Sequence, residues 1–437
     1  MDPLTVGYVC VALMIVSLFL GIPVAAAMGV IAVGGMIVGI GTSFAFGQLR
    51  TLPYAVVSNY EYAVLPMFVL MGTIIGSSGM TERLFQAAEA WLRRLRGGLY
   101  MAVIVGSALF AAVNGSTVVS AVLFTRIAYP EMLRHGYPRS LSIGSICATG
   151  SFAAMIPPSI TMVLYAIICE QSVGQLLIAG IIPGILTAII YMAGVAILVR
   201  VRPNLAPPIR DAASWEHRLK ALRATWPVLV LIVLMMGGIY GGYFTPTLGG
   251  AVGAVGAFLI ALGRAKGRIK GWLPQSLSEA ASISCLIFTI LLGGLLFSRL
   301  VVVTGVVDSF VGVISSFSDS PISFMIVVAI FYLIIGCFID TTSMMIVTLP
   351  FIFPAVIHYH IDPIWFGIVL VKLVEIAVIT PPVGLNLFAV MSVVDKETTW
   401  RHLVIGVTPF IFLEIIVLAL LIAFPELATW LPRQMIR

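Results

Sequence analysis

The polar groups best suited to chemistry in this sequence stand in four short interruptions of otherwise apolar segments. Asn114-Gly115-Ser116-Thr117 lies between Met101–Val113 and Val118–Ala128, and Asp340-Thr341-Thr342-Ser343 lies between Met325–Ile339 and Met344–Phe353. Hydroxyl, amide, carboxylate and free carbonyl oxygens are hard ligands of the kind a small hard cation such as Na+ takes. The other two interruptions are Met155-Ile156-Pro157-Pro158-Ser159 and Ile379-Thr380-Pro381-Pro382-Val383. Tandem prolines remove two backbone donors and push the preceding residue out of helical geometry, so each is expected to split one helix into two. Carbonyls freed before the prolines suit a cation, while half-helix N-termini favour an anionic group. Thr149, Gly150, Ser151, Ser159, Thr161, Thr380, Gly384 and Asn386 flank these breaks and add polar groups.

The elements that must hold these groups are membrane spans. The 437 residues are 60% hydrophobic and 10% charged, with a mean hydropathy of +1.13. Soluble domains carry roughly 25% charged residues, so this chain cannot present an ordinary aqueous surface. Apolar runs of about 20 residues, enough to cross a hydrocarbon core, recur along its whole length. The arms around each polar tip are only about 10–15 residues long, too short to cross alone, and fit re-entrant hairpins better than kinked spans. Met1-Asp2-Pro3-Leu4 lacks a basic region, so the first apolar stretch reads as a span and not as a cleavable signal. The five cysteines (Cys10, Cys147, Cys169, Cys285 and Cys337) form no CxxC pair, and neither a transition-metal site nor a disulfide framework is indicated.

The chain repeats itself. Pro23 matches Pro246 at a separation of 223, Gly79 matches Gly305 at 226, and Pro130 matches Pro354 at 224. Pro157-Pro158 and Pro381-Pro382 are also 224 apart. These landmarks predict an all-α protein of two structural repeats, 1–205 and 224–437, joined by a linker over 206–223. Each repeat is expected to hold five spans and one re-entrant hairpin. The hairpins fall at about 99–134 and 321–357, and the broken helices at about 140–170 and 363–394.

An odd number of crossings per repeat makes the second enter the membrane from the opposite side. Charge tests that inversion. With Arg83–Arg96 placed inside, the Arg134/Arg139 turn, the Arg200–Arg223 linker, Arg264–Lys270 and Lys396–Arg401 also fall inside. That face collects 18 of the 24 Lys and Arg. Asp308–Ser320 and His358–Asp362, the counterparts of basic loops in the first repeat, contain neither residue. Both termini are then expected outside. The net charge of +6 reflects this loop bias and implies no nucleic-acid partner. Residues 83–97 place Leu84, Ala87, Ala88, Trp91, Leu92 and Leu95 at helical spacing among arginines, the pattern of a helix lying in the interface plane.

A few charges fall at membrane depth, where ionisable groups are costly and functional by default. Asp340 reads as a cation ligand or protonatable carboxylate. Lys372 and Glu375 are three apart on one helix and read as a mutual pair. Arg299 and Arg126 are candidate anchors for a substrate carboxylate, or snorkelling side chains. Glu414 sits near the middle of the last span.

In YEYAVLPMFVLMG (60–72), AAVNGSTVVSAV (111–122), FAAMIPPSI (152–160), GCFIDTTSMMIVTLPFIFP (336–354) and EIAVITPPVGLNLF (375–388) the sequence resembles the large membrane subunit (DctM-like) of tripartite ATP-independent periplasmic, or TRAP, transporters. The resemblance covers essentially the whole chain. It implies an elevator-type secondary transporter of the bacterial inner membrane that takes up a small organic acid with Na+. It also implies a soluble periplasmic binding protein and a separate four-helix membrane subunit as partners, and no cofactor beyond the coupling ion. By match of motif, Asn114, Gly115, Ser116, Thr117, Gly150, Pro157, Asp340, Thr341, Thr342, Ser343, Thr380 and Pro381 are expected around Na+. Ser151, Pro158, Ser159, Pro382, Gly384, Asn386 and Arg299 are expected around substrate.

Two other classes compete with a carrier. A channel, the nearest rival of another class, also uses re-entrant loops, but two inverted, non-identical tips favour alternating access; a carboxylate/ion symporter working without a binding protein is a further alternative. An intramembrane enzyme lacks support, since there is no HExxH, no Walker A motif and no second aspartate in a setting like that of Asp340.

Overall fold

A computed structural model describes residues 2–207, 214–264, 271–317, 320–337 and 339–435. Parts of the expected 206–223 linker and of the Arg264–Lys270 loop lie outside the described residues, as does Phe338 near the second polar tip. The fold is helical throughout, with no strand among the described residues.

The first half runs α1 (Pro3–Phe19), α2 (Val24–Gly39), α3 (Thr42–Ser58), α4 (Val64–Ser77), α5 (Met80–Leu92), α6 (Gly98–Asn114), α7 (Thr117–Arg134), α8 (Arg139–Gly150), α9 (Phe152–Met155), α10 (Ile160–Ile168), α11 (Val173–Ala179) and α12 (Ile181–Val201). The second half runs α13 (Trp215–Tyr240), α14 (Pro246–Arg264), α15 (Trp272–Val303), α16 (Val306–Phe317), α17 (Pro321–Ile335), α18 (Thr341–His358), α19 (Pro363–Val378), α20 (Leu385–Met391), α21 (Trp400–Ala423) and α22 (Glu426–Arg433). Boundaries follow local chemistry. Pro3, Pro246, Pro321 and Pro363 open helices where a missing backbone donor costs nothing. Ser214, Ser320 and Asp362 cap first turns with side-chain oxygens.

Among the described residues, seven segments are long and apolar enough to cross a membrane, and eight if the bent pair Arg139–Met155 and Ile160–Ile168 counts as one span. The sequence reading expects ten crossings. Its shorter members, α1 and α2, have 17 and 16 residues, a rise of about 24–26 Å, which falls short of a full hydrocarbon core of about 30 Å.

Two packing relations mirror one another between the halves. α2 lies along α15, where a Cβ on Gly293 would meet the Ala25 carbonyl, and α14 lies along α4, where one on Gly253 would meet the Met71 sulfur. The third span differs between halves. In the first it breaks at Asn59, whose side chain accepts from the Glu61 amide, into α3, a turn over Tyr60–Ala63 and α4. In the second it is the unbroken 32-residue α15. A smaller apolar core of α1, α2 and the second half of α15 stands beside the main core, which holds both hairpins and the broken helices. Within the main core α8 and α21 touch backbone to backbone: a Cβ on Gly144 would sit 2.0 Å from the Gly406 carbonyl carbon, an approach only glycine permits.

The expected interfacial helix ends at Leu92, before Leu95. Leu84, Phe85, Ala87 and Ala88 are buried, and α5 packs on α6 and α13. Its apolar face is therefore spent on protein, and only Trp91 and Leu95 remain exposed at the edge.

Candidate functional site

Each polar tip is a helix–turn–helix with tightly used groups. α6 ends at Asn114, and Gly115 turns the chain at φ +66, a left-handed conformation suited to glycine. A Cβ there would also sit 2.9 Å from the Pro158 carbonyl oxygen, so the first tip rests directly on the first Pro-Pro break. Asn114 Nδ2 donates to the Ser116 carbonyl (2.9 Å) and to Ser120 Oγ (3.1 Å), leaving Oδ1 as the ligand-capable atom. Ser116 then caps α7. In the second tip Asp340 caps α18, with Oδ2 accepting from the Ser343 amide at 3.0 Å. That tip meets its own break in the same way: the Gly384 amide donates to the Cys337 carbonyl (3.0 Å), and the Cys337 thiol lies 3.8 Å from the Pro381 carbonyl. Both Pro-Pro bonds are cis.

The two tips open on one cavity of about 750 Å³. Asn114, Gly115, Ser116, Thr117, Asp340, Thr341 and Thr342 all line it, as do Ile160 and Thr161 after the first break and Leu385 after the second. The opposite wall is α4, through Gly72, Thr73 and Ser77, and the first half of α15, through Gln275, Glu279 and Ile283. Two hard-oxygen tips and three helix N-termini longer than two turns (α7, α10 and α18) thus face one space. That arrangement supplies cation ligands and positive dipole ends together.

The remaining expected residues sit behind this wall. Gly150 packs against Ala121, where a Cβ would come within 2.6 Å, so it permits the contact of α8 with α7. Ser151 donates to the Ala148 carbonyl, and Ser159 caps α10 while donating to the Ala154 carbonyl; both are fully buried, with their hydroxyls committed to local backbone. Ser343 is buried, and Thr380 donates to the Ile376 carbonyl (2.6 Å). Pro157, Pro158, Pro381 and Pro382 form the breaks without lining the cavity. Asn386 is fully buried, and among the described residues neither its Oδ1 nor its Nδ2 has a partner. An unmet buried amide costs about 1–3 kcal/mol, so it is the group with most to gain from an added ligand.

The arginines separate clearly. Arg126 lines the cavity, whereas Arg299 is exposed on the outer part of α15 and lines no part of it. Both are candidate carboxylate anchors in the sequence, with Arg299 expected at the substrate; of the two, Arg126 borders the cavity, because α7 runs along the open cleft. Gln275 and Glu279 escaped notice in the sequence. Their signal is two polar residues four apart, one helical face, in a 32-residue apolar helix.

A second polar cluster is no cation site. Glu89, Glu131 and His135 gather closely, but Arg93 reaches Glu89 (3.7 Å) and His135 (3.2 Å) and already supplies the positive charge.

The comparisons agree with this architecture. The family model for the DctM component of the tripartite ATP-independent periplasmic transporter matches residues 11–427. The chain is 36% identical over 335 residues to the C4-dicarboxylate TRAP transporter large permease protein DctM of Pseudomonas aeruginosa, covering 77% of this chain and 78% of the relative. It is 31% identical over 441 residues to the Vibrio cholerae protein of the same name, covering 96% of each. The ectoine TRAP transporter large permease protein TeaC of Halomonas elongata is 30% identical over 97% of this chain and 98% of its own. In fold the chain is similar to the Alcanivorax borkumensis YdaH transporter, with a TM-score of 0.63 over 98% of both chains at 14% identity. This multi-pass membrane protein belongs to the DctM family, the large permease component of tripartite ATP-independent periplasmic transporters.

Proposed function

We propose that this permease imports a small organic carboxylate with Na+ across the bacterial inner membrane, receiving it from a periplasmic binding protein and working with a small four-helix membrane subunit. The observation that carries the reading is the one cavity into which both polar tips and the N-termini of α7, α10 and α18 open. Na+ would take oxygen ligands at the tips (Asn114 Oδ1, Ser116, Thr117, Asp340, Thr341 and Thr342), with tip and break carbonyls beside them. The substrate carboxylate would face the N-termini and Arg126, whose guanidinium can hold it bidentately. Asn386 lies one residue beyond the cavity-lining Leu385 and would turn its unmet amide to whichever ligand approaches. The relatives include carriers named for C4-dicarboxylates, ectoine and sialic acid, solutes that all bear a carboxylate.

Oriented by its Lys and Arg, the chain has both termini outside, and the two repeats are inverted. The cavity wall at Ser77, Gln275, Glu279 and Arg126 then lies toward the cytoplasm, making this an inward-open arrangement.

Uptake into proteoliposomes, with the small subunit and binding protein present, tests the reading. Replacing Na+ by K+ is expected to bring uptake to background, and Asp340→Ala and Ser116→Ala are expected to lose most of it. Undiminished uptake in K+ sinks the coupling; undiminished uptake in both variants sinks the site; a Na+-independent current makes the chain a channel.

A further inference from the structure

A group of charges outside the cavity is left unused by this reading. Lys372, Glu375 and Glu414 are each 0% exposed. The Lys372 ammonium contacts the Glu375 carboxylate, Glu414 Oε2 at 2.8 Å and Thr187 Oγ1 at 3.0 Å. Glu414 Oε1 also accepts from the Tyr191 hydroxyl at 2.7 Å. Glu375 meets the ammonium through Oε2, and among the described residues neither of its oxygens has a further donor. The pair foreseen on α19 is therefore a triad, tying α19 to α12 and α21. Among the described residues, the Tyr191 hydroxyl from α12 is the other titratable group in contact with it, and the Cys147 thiol from α8 stands near Tyr191.

One ammonium against two carboxylates leaves a charge of −1 when all are ionised. A lone charge sealed from water in a membrane interior is strongly unfavourable, and a site in this position neutralises or pairs it. No further side-chain cation reaches the triad among the described residues. A metal ion is poorly suited, since the ammonium already occupies the space between the carboxylates and would repel it.

We infer that the triad is a single-proton binding site, with one carboxyl held as the neutral acid at neutral pH. The proton belongs on Glu375. Glu414 takes two hydrogen bonds, from Tyr191 and from Lys372, whereas Glu375 has one contact and is the carboxyl with an oxygen to spare for the proton. The two carboxyls share one ammonium, so the proton is a property of the group and charge counting governs it. Lys372 and Glu375 stand eight and five residues before Thr380, so the proton sits on the helix that leads into the second break.

Infrared difference spectroscopy of the purified chain tests this without any transport assay. The wild type is expected to show a protonated-carboxyl C=O band at neutral pH, shifted in deuterated water. Glu375→Gln is expected to lose it, and Glu414→Gln is expected to lose it too, because the remaining carboxylate then balances Lys372. Lys372→Met is expected to enlarge it, since two carboxyls are left without an ammonium. The three variants give independent readings should one fail to fold. A band absent from the wild type, or unchanged in both Gln variants, overturns the inference. None of these outcomes bears on Na+ coupling.

Discussion

The two hairpins are alike in build, each two helices around a polar tip, yet they meet the rest of the molecule differently. α7 of the first hairpin faces α4 and the first half of α15 across the cavity of about 750 Å³. α18 of the second faces the other half of α15 across only about 180 Å³. There Ile346 presses on Gly294, where a Cβ would come within 1.9 Å, and Phe351 packs edge-on against Phe297 and Phe310. On the open side a Cβ on Gly76 would meet nothing closer than Leu123 at 3.7 Å. One repeat-related cleft is wide and its twin is nearly shut. The lesson is that two hairpins of similar build face one helix, and the side-chain packing against α15 is what differs between the open cleft and the closed one.

The largest expected contrast is all-or-none. With exposed Cys285 replaced by Ser, Val122→Cys in the wide cleft should react with an impermeant thiol reagent applied from the cytoplasmic side, and Ser298→Cys in the narrow one should not. The opposite pattern would reverse the assigned sidedness. Next, Gly294→Leu should overpack the closed cleft and cost about 1–3 kcal/mol, read as a lower melting temperature. Gly76→Leu should leave stability unchanged while slowing uptake, because it fills the open cleft. Equal destabilisation by both would erase the comparison.

A smaller effect separates the arginines. Arg126→Gln should lower uptake at limiting substrate about tenfold, roughly 1.4 kcal/mol, while Arg299→Gln stays near wild type. The smallest contrast lies at the starts of α8 and α19. Arg139 opens α8 by pairing with Asp395 (2.6 Å) and Glu397, whereas Asp362 opens α19 as a cap. A hydrogen bond from Thr398, and next one from Arg139, hold the Asp395 carboxyl below its usual range. A depressed carboxylate contributes stability above its ordinary value near 4 and loses it as pH falls through the lowered value. The melting-temperature difference between wild type and Arg139→Ala should therefore be small at pH 7 and vanish in acid, since exposed pairs contribute little.

Much of this was legible in the sequence because membrane helices carry strong signals. Pro157-Pro158 and Pro381-Pro382 mark breaks by removing donors, and Asn114–Thr117 and Asp340–Ser343 announce tips by polarity alone. The tips do line the cavity. Ser151 and Ser159 could not be sorted from the tip residues, because a hydroxyl satisfying its own helix and one free for a ligand look identical in sequence. Gly150 reads the same as a ligand carbonyl or as a packing contact until Ala121 is seen against it. The choice between Arg126 and Arg299 depends on which helix flanks the cleft. Glu414 joins Lys372 from 42 residues away, beyond any local pattern.

α15 runs unbroken past both clefts. Gln275 to Ile290 wall the wide one, and Leu291 to Val302 wall the narrow one. At about 1.5 Å per residue it is a stiff rod of about 48 Å, with no hinge where its twin breaks at Asn59. A shared rod couples the two seals. A passive leak of ions would require the hairpin-bearing body to leave both halves of α15 at once, giving up the Ile346–Gly294 contact while the first cleft still gapes. α15 stays unbroken even through Gly293-Gly294, so a proline introduced near Leu291, which removes a backbone donor, is the shortest route to a kink between the two clefts.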